Sequence, residues 1–227
     1  MRNSERVKVS MTTKKEPVFK TIEHPLIQDK ITRMRDLKTS VTEFRQLLTE
    51  ISRLMAFEIT RDLPTKPVFV ETPLVHTQGQ KLAQGLVLVP VLRAGLGMVQ
   101  GILDVVPDAQ IGHIGLYRDS ETTRPVRYFV QLPPFTGQKF VLLDPMLATG
   151  YSAVASVDVL LDHGVPLQNI LFVSLVSSPE GSAVVQERFP DMVLYTANLD
   201  DGLNDHAYIL PGLGDAGDRL FGTAPSL

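Results

Sequence analysis

The chain contains no cysteine and no tryptophan in 227 residues, and only 7% of it is aromatic. Disulfide staples, thiolate nucleophiles and cysteine-ligated metals are therefore excluded, and the lack of cross-links agrees with a reducing, cytoplasmic setting. No charge of either sign dominates. The 22 Lys and Arg residues face 25 Asp and Glu, for a net charge of −3. That balance carries no electrostatic footprint of a nucleic-acid binder. No apolar run approaches the roughly 20 residues that a membrane span needs. The five histidines, His24, His76, His113, His163 and His206, are scattered without metal-ligand spacing. Internal repeats and low-complexity segments are also missing.

What is present suits one sizeable α/β core, since 44% of the residues are hydrophobic. Residues 1–17 read as a disordered tail: Met1 to Glu16 is polar and lacks the apolar core of a secretory signal. Residues 18–227 read as one domain ending in a loop-rich segment. His24 and Pro25 read as a packing or turn pair near its start. Ser40 and Glu43 have capping-box spacing ahead of an apolar stripe, Phe44, Leu47, Leu48, Ile51, Leu54 and Met55, which predicts a long helix. Val68 to Thr72 is a short strand candidate. Leu86 to Leu92 is apolar throughout, as a strand buried on both faces should be. A helix over Gly97 to Val106 and a strand over Ile111 to Tyr117 follow. The polar run Arg118 to Arg127, with a returning strand at Tyr128 to Leu132, predicts an arm-like hairpin. Phe140 to Leu143 is a strand, and Val154, Val157, Leu160 and Leu161 line a helix that Gly164 terminates. Ile170 to Val176 is another strand. Ser178-Pro179-Glu180 supplies a helix start, Val193 to Thr196 a last strand, and the chain beyond Asp200 reads as loop. This alternation predicts a parallel sheet, with ligands bound at the carboxyl ends of its strands.

Three strand ends and the final loop carry the chemistry. The strongest is Asp144-Pro145-Met146-Leu147-Ala148-Thr149-Gly150-Tyr151-Ser152, an acid closing a buried strand, then small and hydroxylated residues opening a helix. Unpartnered N–H groups and the helix dipole suit a phosphate there, while the acid suits a ribose diol or a metal ion. The second is Arg93-Ala94-Gly95, where an arginine suited to bidentate oxyanion binding sits beside residues that let backbone approach a ligand. The third is the charged run from Arg118. The last is the run from Asp200-Asp201-Gly202-Leu203-Asn204 through Tyr208 and Ile209 to Arg219. Its Gly212-x-Gly214-x-x-Gly217 matches a dinucleotide fingerprint literally, but no buried strand precedes it. Only ten residues of the 227 follow Gly217, too few for a βαβ unit.

Asp144 to Ser152 and Gly212 to Arg219 resemble the corresponding loops of the uracil phosphoribosyltransferases, a branch of the type I phosphoribosyltransferases. Asp144 followed by Pro145 is the form of the uracil branch, where other members carry two adjacent acids. The resemblance spans about His24 to Thr223. It implies an α/β fold: a parallel-sheet, Rossmann-like type I phosphoribosyltransferase core with helices on both faces, a β-arm hairpin and a small hood formed by terminal segments. It also implies transfer of the 5-phosphoribosyl group of phosphoribosyl pyrophosphate (PRPP) to uracil, giving UMP and pyrophosphate in pyrimidine salvage. Asp144, Arg118 and Asp215 become catalytic candidates. PRPP falls to Arg93, Ala94, Gly95, Arg118, the run Asp144, Pro145, Met146, Leu147, Ala148, Thr149, Gly150, Tyr151 and Ser152, and Asp215. Uracil falls to Ile209, Gly214, Asp215 and Ala216. The family commonly has glycine where this chain has Tyr151, so the ring is expected to point outward.

The resemblance further implies Mg²⁺ arriving with PRPP rather than in a dedicated protein cage, GTP as a candidate allosteric activator, and a homodimer or higher homo-oligomer. Neither nucleic acid nor membrane is an expected partner. The rival readings are a phosphoribosyltransferase for another base or for orotate, with Arg219 the candidate cation, an RNA-binding pyrimidine-operon regulator on the same fold, and an inactive relative.

Overall fold

Two apolar patterns divide the chain: short continuous runs that form strands buried on both faces, and helices with a single apolar stripe. The computed structural model describes residues 19–118 and 125–223. In chain order the elements are β1 (Phe19–Thr21), α1 (Pro25–Arg35), α2 (Val41–Ile59), β2 (Thr65–Glu71), β3 (His76–Leu82), β4 (Leu86–Leu92) and α3 (Leu96–Leu103). Then come β5 (Gln110–Ile111), β6 (His113–Arg118), β7 (Pro125–Gln131), β8 (Lys139–Leu143), β9 (Met146–Leu147) and α4 (Tyr151–Asp162). The last are β10 (Ile170–Ser177), α5 (Pro179–Arg188), β11 (Val193–Leu199), β12 (Gly202–Leu203), β13 (Ile209–Leu210) and α6 (Ala216–Phe221).

The main sheet has the order β1-β11-β10-β8-β4-β6-β7, with β5 on β4 and β9 on β10. Its pairs are parallel except β6 with β7. Alternation along the strands sorts the core into two layers. Leu86, Leu88, Val141 and Leu143 pack with residues of α1, α2, α3 and α6. Val87, Val89, Phe140 and Leu142 pack with residues of α4 and α5. This is the parallel α/β architecture that the resemblance implies, and it sets β8 and β4 side by side with their carboxyl ends at the same edge.

Local chemistry explains the helix starts. Ser40 caps α2 by accepting from the Glu43 N–H at 3.2 Å. The Glu43 carboxylate, which a capping box would turn back to Ser40, instead accepts from Arg33 at 2.7 Å. Ser178 caps α5 with Pro179 in the first turn.

The sequence reading needs four corrections. His24 and Pro25 open a full helix, α1, with the His24 ring accepting from the Leu26 N–H. The strand expected at Val68 to Thr72 is half of an antiparallel hairpin, β2 with β3, separate from the main sheet. The sequence of β3, HTQGQKL, is polar and exposed almost throughout, so no hydrophobic alternation announces it. The strand expected over Ile111 to Tyr117 is interrupted at Gly112, whose N–H goes to Leu88 and whose Cβ position Leu132 occupies, 2.7 Å away. The region beyond Asp200 holds a helix, α6, capped by Asp215. The expected tail, 1–17, and the tip of the arm, 119–124, lie outside the described residues.

Candidate active site

Strand β8 delivers Asp144. Its backbone N–H donates to Val173 at 3.2 Å, and its Oδ1 accepts from the Met146 N–H at 3.3 Å. Burial pushes this carboxyl up to about 7. The Met146 N–H pulls the other way, and the neighbouring Asp215 carboxylate adds to the rise. Among the described residues no cation is paired with this acid, which suits hydroxyls or a metal ion brought by a ligand.

The loop after Asp144 is pinned by backbone. Met146 and Leu147 pair with Val176 and Ser177 of β10. The Ser178 N–H donates to the Leu147 carbonyl at 2.9 Å, and the Ser178 hydroxyl to the Ala148 carbonyl at 2.5 Å. Ser178 also accepts from Gly181 N–H, so one hydroxyl caps α5 and clamps the loop. A Cβ at Gly181 would stand 2.1 Å from the Ala148 carbonyl oxygen. Sequence reasoning found Ser178 as a cap and missed the clamp, and it missed Gly181. Gly150, at φ 81°, turns the chain into α4, and no side chain caps that helix. The first N–H groups of α4 and its dipole are therefore available to a phosphate. Tyr151 occupies the first helical position with its side chain 58% exposed, the outward orientation expected. Among the described residues only Ala207 combines a side chain with positive φ, so Tyr151 does not occupy a glycine conformation. Pro145 and Leu147 are buried and offer backbone only.

Strand β4 delivers the arginine loop. The Leu92–Arg93 peptide is cis. Gly95 lies against the end of β8, where a Cβ would be 2.2 Å from the Leu143 carbonyl oxygen. The Arg93 guanidinium is exposed, 5.7 Å from the Phe221 ring centroid and 3.7 Å from Asp218. Arg118 ends β6 opposite Pro125 of β7.

The base-side loop begins at Asp200. Strands β12 and β13 pair, and the turn between them is held by the Asn204 side chain, which accepts from the His206 and Tyr208 N–H groups at 3.0 and 2.9 Å. A cis Leu210–Pro211 peptide, Gly212 at φ 60° and Gly214 at φ 74° lead to Asp215. Asp215 caps α6 by accepting from Asp218 N–H at 2.9 Å. Arg219 is fully engaged. It donates to the carbonyls of Met34, Leu213 and Asp36 and lies 4.7 Å from the Phe44 ring centroid. Its guanidinium is thereby directed to the protein's own carbonyls.

These segments meet at a cavity of about 350 Å³. Ala94, Asp144, Met146 and Ala148 line one wall, and Ile209, Gly214, Asp215 and Ala216 the other. His206 and Tyr208 also reach it, which the sequence reading did not anticipate. Arg93, Thr149, Gly150, Tyr151 and Ser152 do not line it. A larger depression of about 670 Å³, bordered by Thr21, His24, Gln28 and Asn198, contains none of the motif residues. No cluster of three or more acidic, histidine or cysteine side chains suited to a metal occurs among the described residues.

The model of the family described as uracil phosphoribosyltransferase matches residues 21–223. The chain belongs to the uracil phosphoribosyltransferase family. Curated uracil phosphoribosyltransferases share much of its sequence. That of Burkholderia ambifaria is 58% identical over 202 residues, covering 88% of this chain and 93% of that protein. That of Burkholderia thailandensis is 55% identical over 203 residues, covering 89% and 94%. A solved protein from Aquifex aeolicus superposes with a TM-score of 0.86 at 36% identity, covering 91% of this chain and 99% of its own. As a family member the chain is a phosphoribosyltransferase enzyme. The matched span includes every site candidate, from Arg93 to Ala216.

Proposed function

We propose that the protein transfers the phosphoribosyl group of PRPP to uracil, releasing pyrophosphate and forming UMP for pyrimidine salvage. The observation that carries this reading is the convergence of the Asp144 strand end and the Ile209–Ala216 loop on one cavity. A sugar phosphate and a base can there be held against each other. The N-terminus of α4 takes the 5′-phosphate, Asp144 the ribose hydroxyls, and Arg93, with Arg118 from the arm, the pyrophosphate. Uracil presents an acceptor–donor–acceptor edge, which backbone groups of Ile209 and Gly214 to Ala216 can complement. Cytosine would leave buried groups unpaired.

In the reaction the C1–O bond breaks with its electron pair going to pyrophosphate, and uracil N1 bonds to C1 and sheds its proton. Positive charge builds on the ribose ring as the bond weakens. The chain's contribution is to align N1 with C1 and to stabilise the leaving group, with no covalent enzyme intermediate. The oxygen donors Asp144 and Asp215 suit a hard cation that keeps water and substrate oxygens in its shell. Bound there with PRPP, Mg²⁺ would neutralise pyrophosphate charge. A homo-oligomer, GTP activation and cytoplasmic placement belong to the same reading.

The test is a steady-state assay of uracil, PRPP and Mg²⁺ against a panel of orotate, cytosine and purine bases, with and without GTP. Uracil should be turned over and the others should not. Turnover of orotate or a purine alongside failure on uracil would overturn the reading.

A further inference from the structure

Behind the base-side loop lies an ion pair that does not line the cavity. Arg35, in the last turn of α1, donates to Asp200 through both terminal nitrogens, at 2.7 and 2.5 Å. The Asp200 side chain is 1% exposed. Each carboxylate oxygen accepts a second donor. Oδ1 takes the Asn198 amide at 2.5 Å, and Oδ2 the Gly212 N–H at 2.8 Å. Arg35 also donates to the Gly212 carbonyl at 2.6 Å. The pair therefore grips Gly212 by its N–H and its C=O together. Backbone bonds extend the grip, from Asp200 N–H to Ser177 and from Asp201 N–H to Leu210, each 2.9 Å.

The place of this grip matters more than its strength. Gly212, at φ 60°, has no room for a side chain, because a Cβ would lie 2.1 Å from the Ile209 carbonyl oxygen. Gly214 and Asp215, a few bonds further on, line the cavity on one side. They also line a second depression of about 560 Å³, which Arg35 borders, on the other. The loop is thus a single wall between two open spaces. Its apolar side chains, Ile209, Leu213 and Ala216, are buried in the core, and the Arg35–Asp200 pair fixes the peptide between them at Gly212.

We infer that Arg35 and Asp200 are positioning residues for the base: they fix the Gly212 peptide and with it the uracil-reading backbone from Ile209 to Ala216, while the phosphate-side residues Arg93 and Asp144 to Ser152 stand apart from the pair. The inference rests on the uracil reading above. Asp200→Asn is the sharp probe. Both oxygens of Asp200 face donors, so whichever way the carboxamide turns, its NH₂ meets N–H groups and a buried donor loses its acceptor. Misplacement of a binding group by about 1 Å is enough for a loss of tenfold or more.

The experiment measures uracil KM and kcat together with PRPP affinity by calorimetry in the absence of base, for wild type, Asp200→Asn and Arg35→Lys. The expected result is a uracil KM raised about tenfold or more in Asp200→Asn, with PRPP affinity within about twofold of wild type. Arg35→Lys keeps the charge but loses the two-pronged grip, so it should fall between. A merely structural pair would lower thermal stability and active fraction, and with them kcat, without raising the uracil KM. Uracil KM unchanged in folded variants, or equal losses for uracil and PRPP, overturns the inference. If Asp200→Asn does not fold, Arg35→Lys carries the same comparison. A wild type that never turns over uracil removes the underlying reading and this inference with it. Normal wild-type turnover with unsplit losses removes only this one.

Discussion

On the phosphate side of the cavity, residues 144–152 are held by main chain. Strand β9 is laddered to β10, the Ser178 N–H takes the Leu147 carbonyl, and Gly150 and Gly181 let two backbones approach within what a side chain would forbid. On the base side, residues 209–219 are tied by two arginine side chains to helix α1 and the turn after it. Arg35 binds the Gly212 carbonyl and Arg219 ties the Leu213 carbonyl to those of Met34 and Asp36. The phosphate wall is continuous with the sheet and as rigid as it. The base wall buries Ile209, Leu213 and Ala216 in the core, and a few ionic contacts fix its backbone. An enzyme of this family has one substrate portion common to its relatives, the phosphoribosyl group, and one that distinguishes them, the base. Separate construction lets the second be altered without disturbing the first.

The largest effect expected on the phosphate side is that of Asp144→Asn. The neutral amide keeps an acceptor for the Met146 N–H but loses the charge facing the ribose and any cation. PRPP kcat/KM should fall about 10²-fold or more. The same substitution should stabilise the ligand-free protein. Asp144 gives up its proton near 3.8 when unfolded and near 7 when folded. Between those values the folded state holds the extra proton, so stability declines as pH rises from about 4 to about 7 and is level above. Asp144→Asn should gain on the order of 4 kcal/mol at pH 8 and nearly nothing at pH 4, measured by urea denaturation. In wild type, PRPP kcat/KM should rise with pH through an apparent pKa near 7. A variant that kept full activity would sink the role given to Asp144.

Gly150→Ala tests whether the phosphate wall really depends on backbone proximity. A Cβ there meets Gly181 O at 2.6 Å, on a backbone at φ 81°. Strain and clash together should cost about 2–4 kcal/mol and raise the KM for PRPP several-fold. Hydrogen exchange over 209–216 should stay as in wild type if the two walls are independent.

How much of this was readable beforehand follows the same division. The phosphate wall is encoded in consecutive residues: an apolar strand, an acid, a glycine and a helix start, so β8, α4 and Asp144 fall where the sequence places them. The base wall was readable only as a motif. Its braces, Arg35 and Asp200, are separated by 165 positions, and no local pattern links an arginine in one helix with an aspartate after a distant strand. Helix α1 was missed because His24 is an unusual cap and Pro25 reads as a turn residue until its first-turn position is seen. Helix α6 was missed because six residues are too few to show a periodicity. Arg219 stands out in the sequence only as the candidate cation of the rival orotate reading, because its partners, the carbonyls of Met34 and Asp36, lie more than 180 positions away.

Arg219→Met probes the base wall at its other brace. The thioether preserves contact with Phe44 but strands three carbonyls, at Met34, Leu213 and Asp36. A loss of about 2–3 kcal/mol in denaturation experiments is expected. Exchange protection should drop in 209–219 and hold in 144–152. Equal loosening of both segments would contradict the division.

The smallest effect should come from Tyr151→Gly, the change toward the residue the family commonly carries here. The side chain is 58% exposed and lies at the first position of α4, and no positive φ calls for glycine. The N–H that a phosphate would use is present with either residue. Glycine adds backbone freedom at the helix start, at a cost of about 0.5–1 kcal/mol in the free protein. The KM for PRPP should therefore change by less than about threefold, measured beside the wild type at saturating uracil. A gain of tenfold or more would mean that the ring obstructs the phosphate after all, and that the outward orientation of Tyr151 does not persist once PRPP is bound.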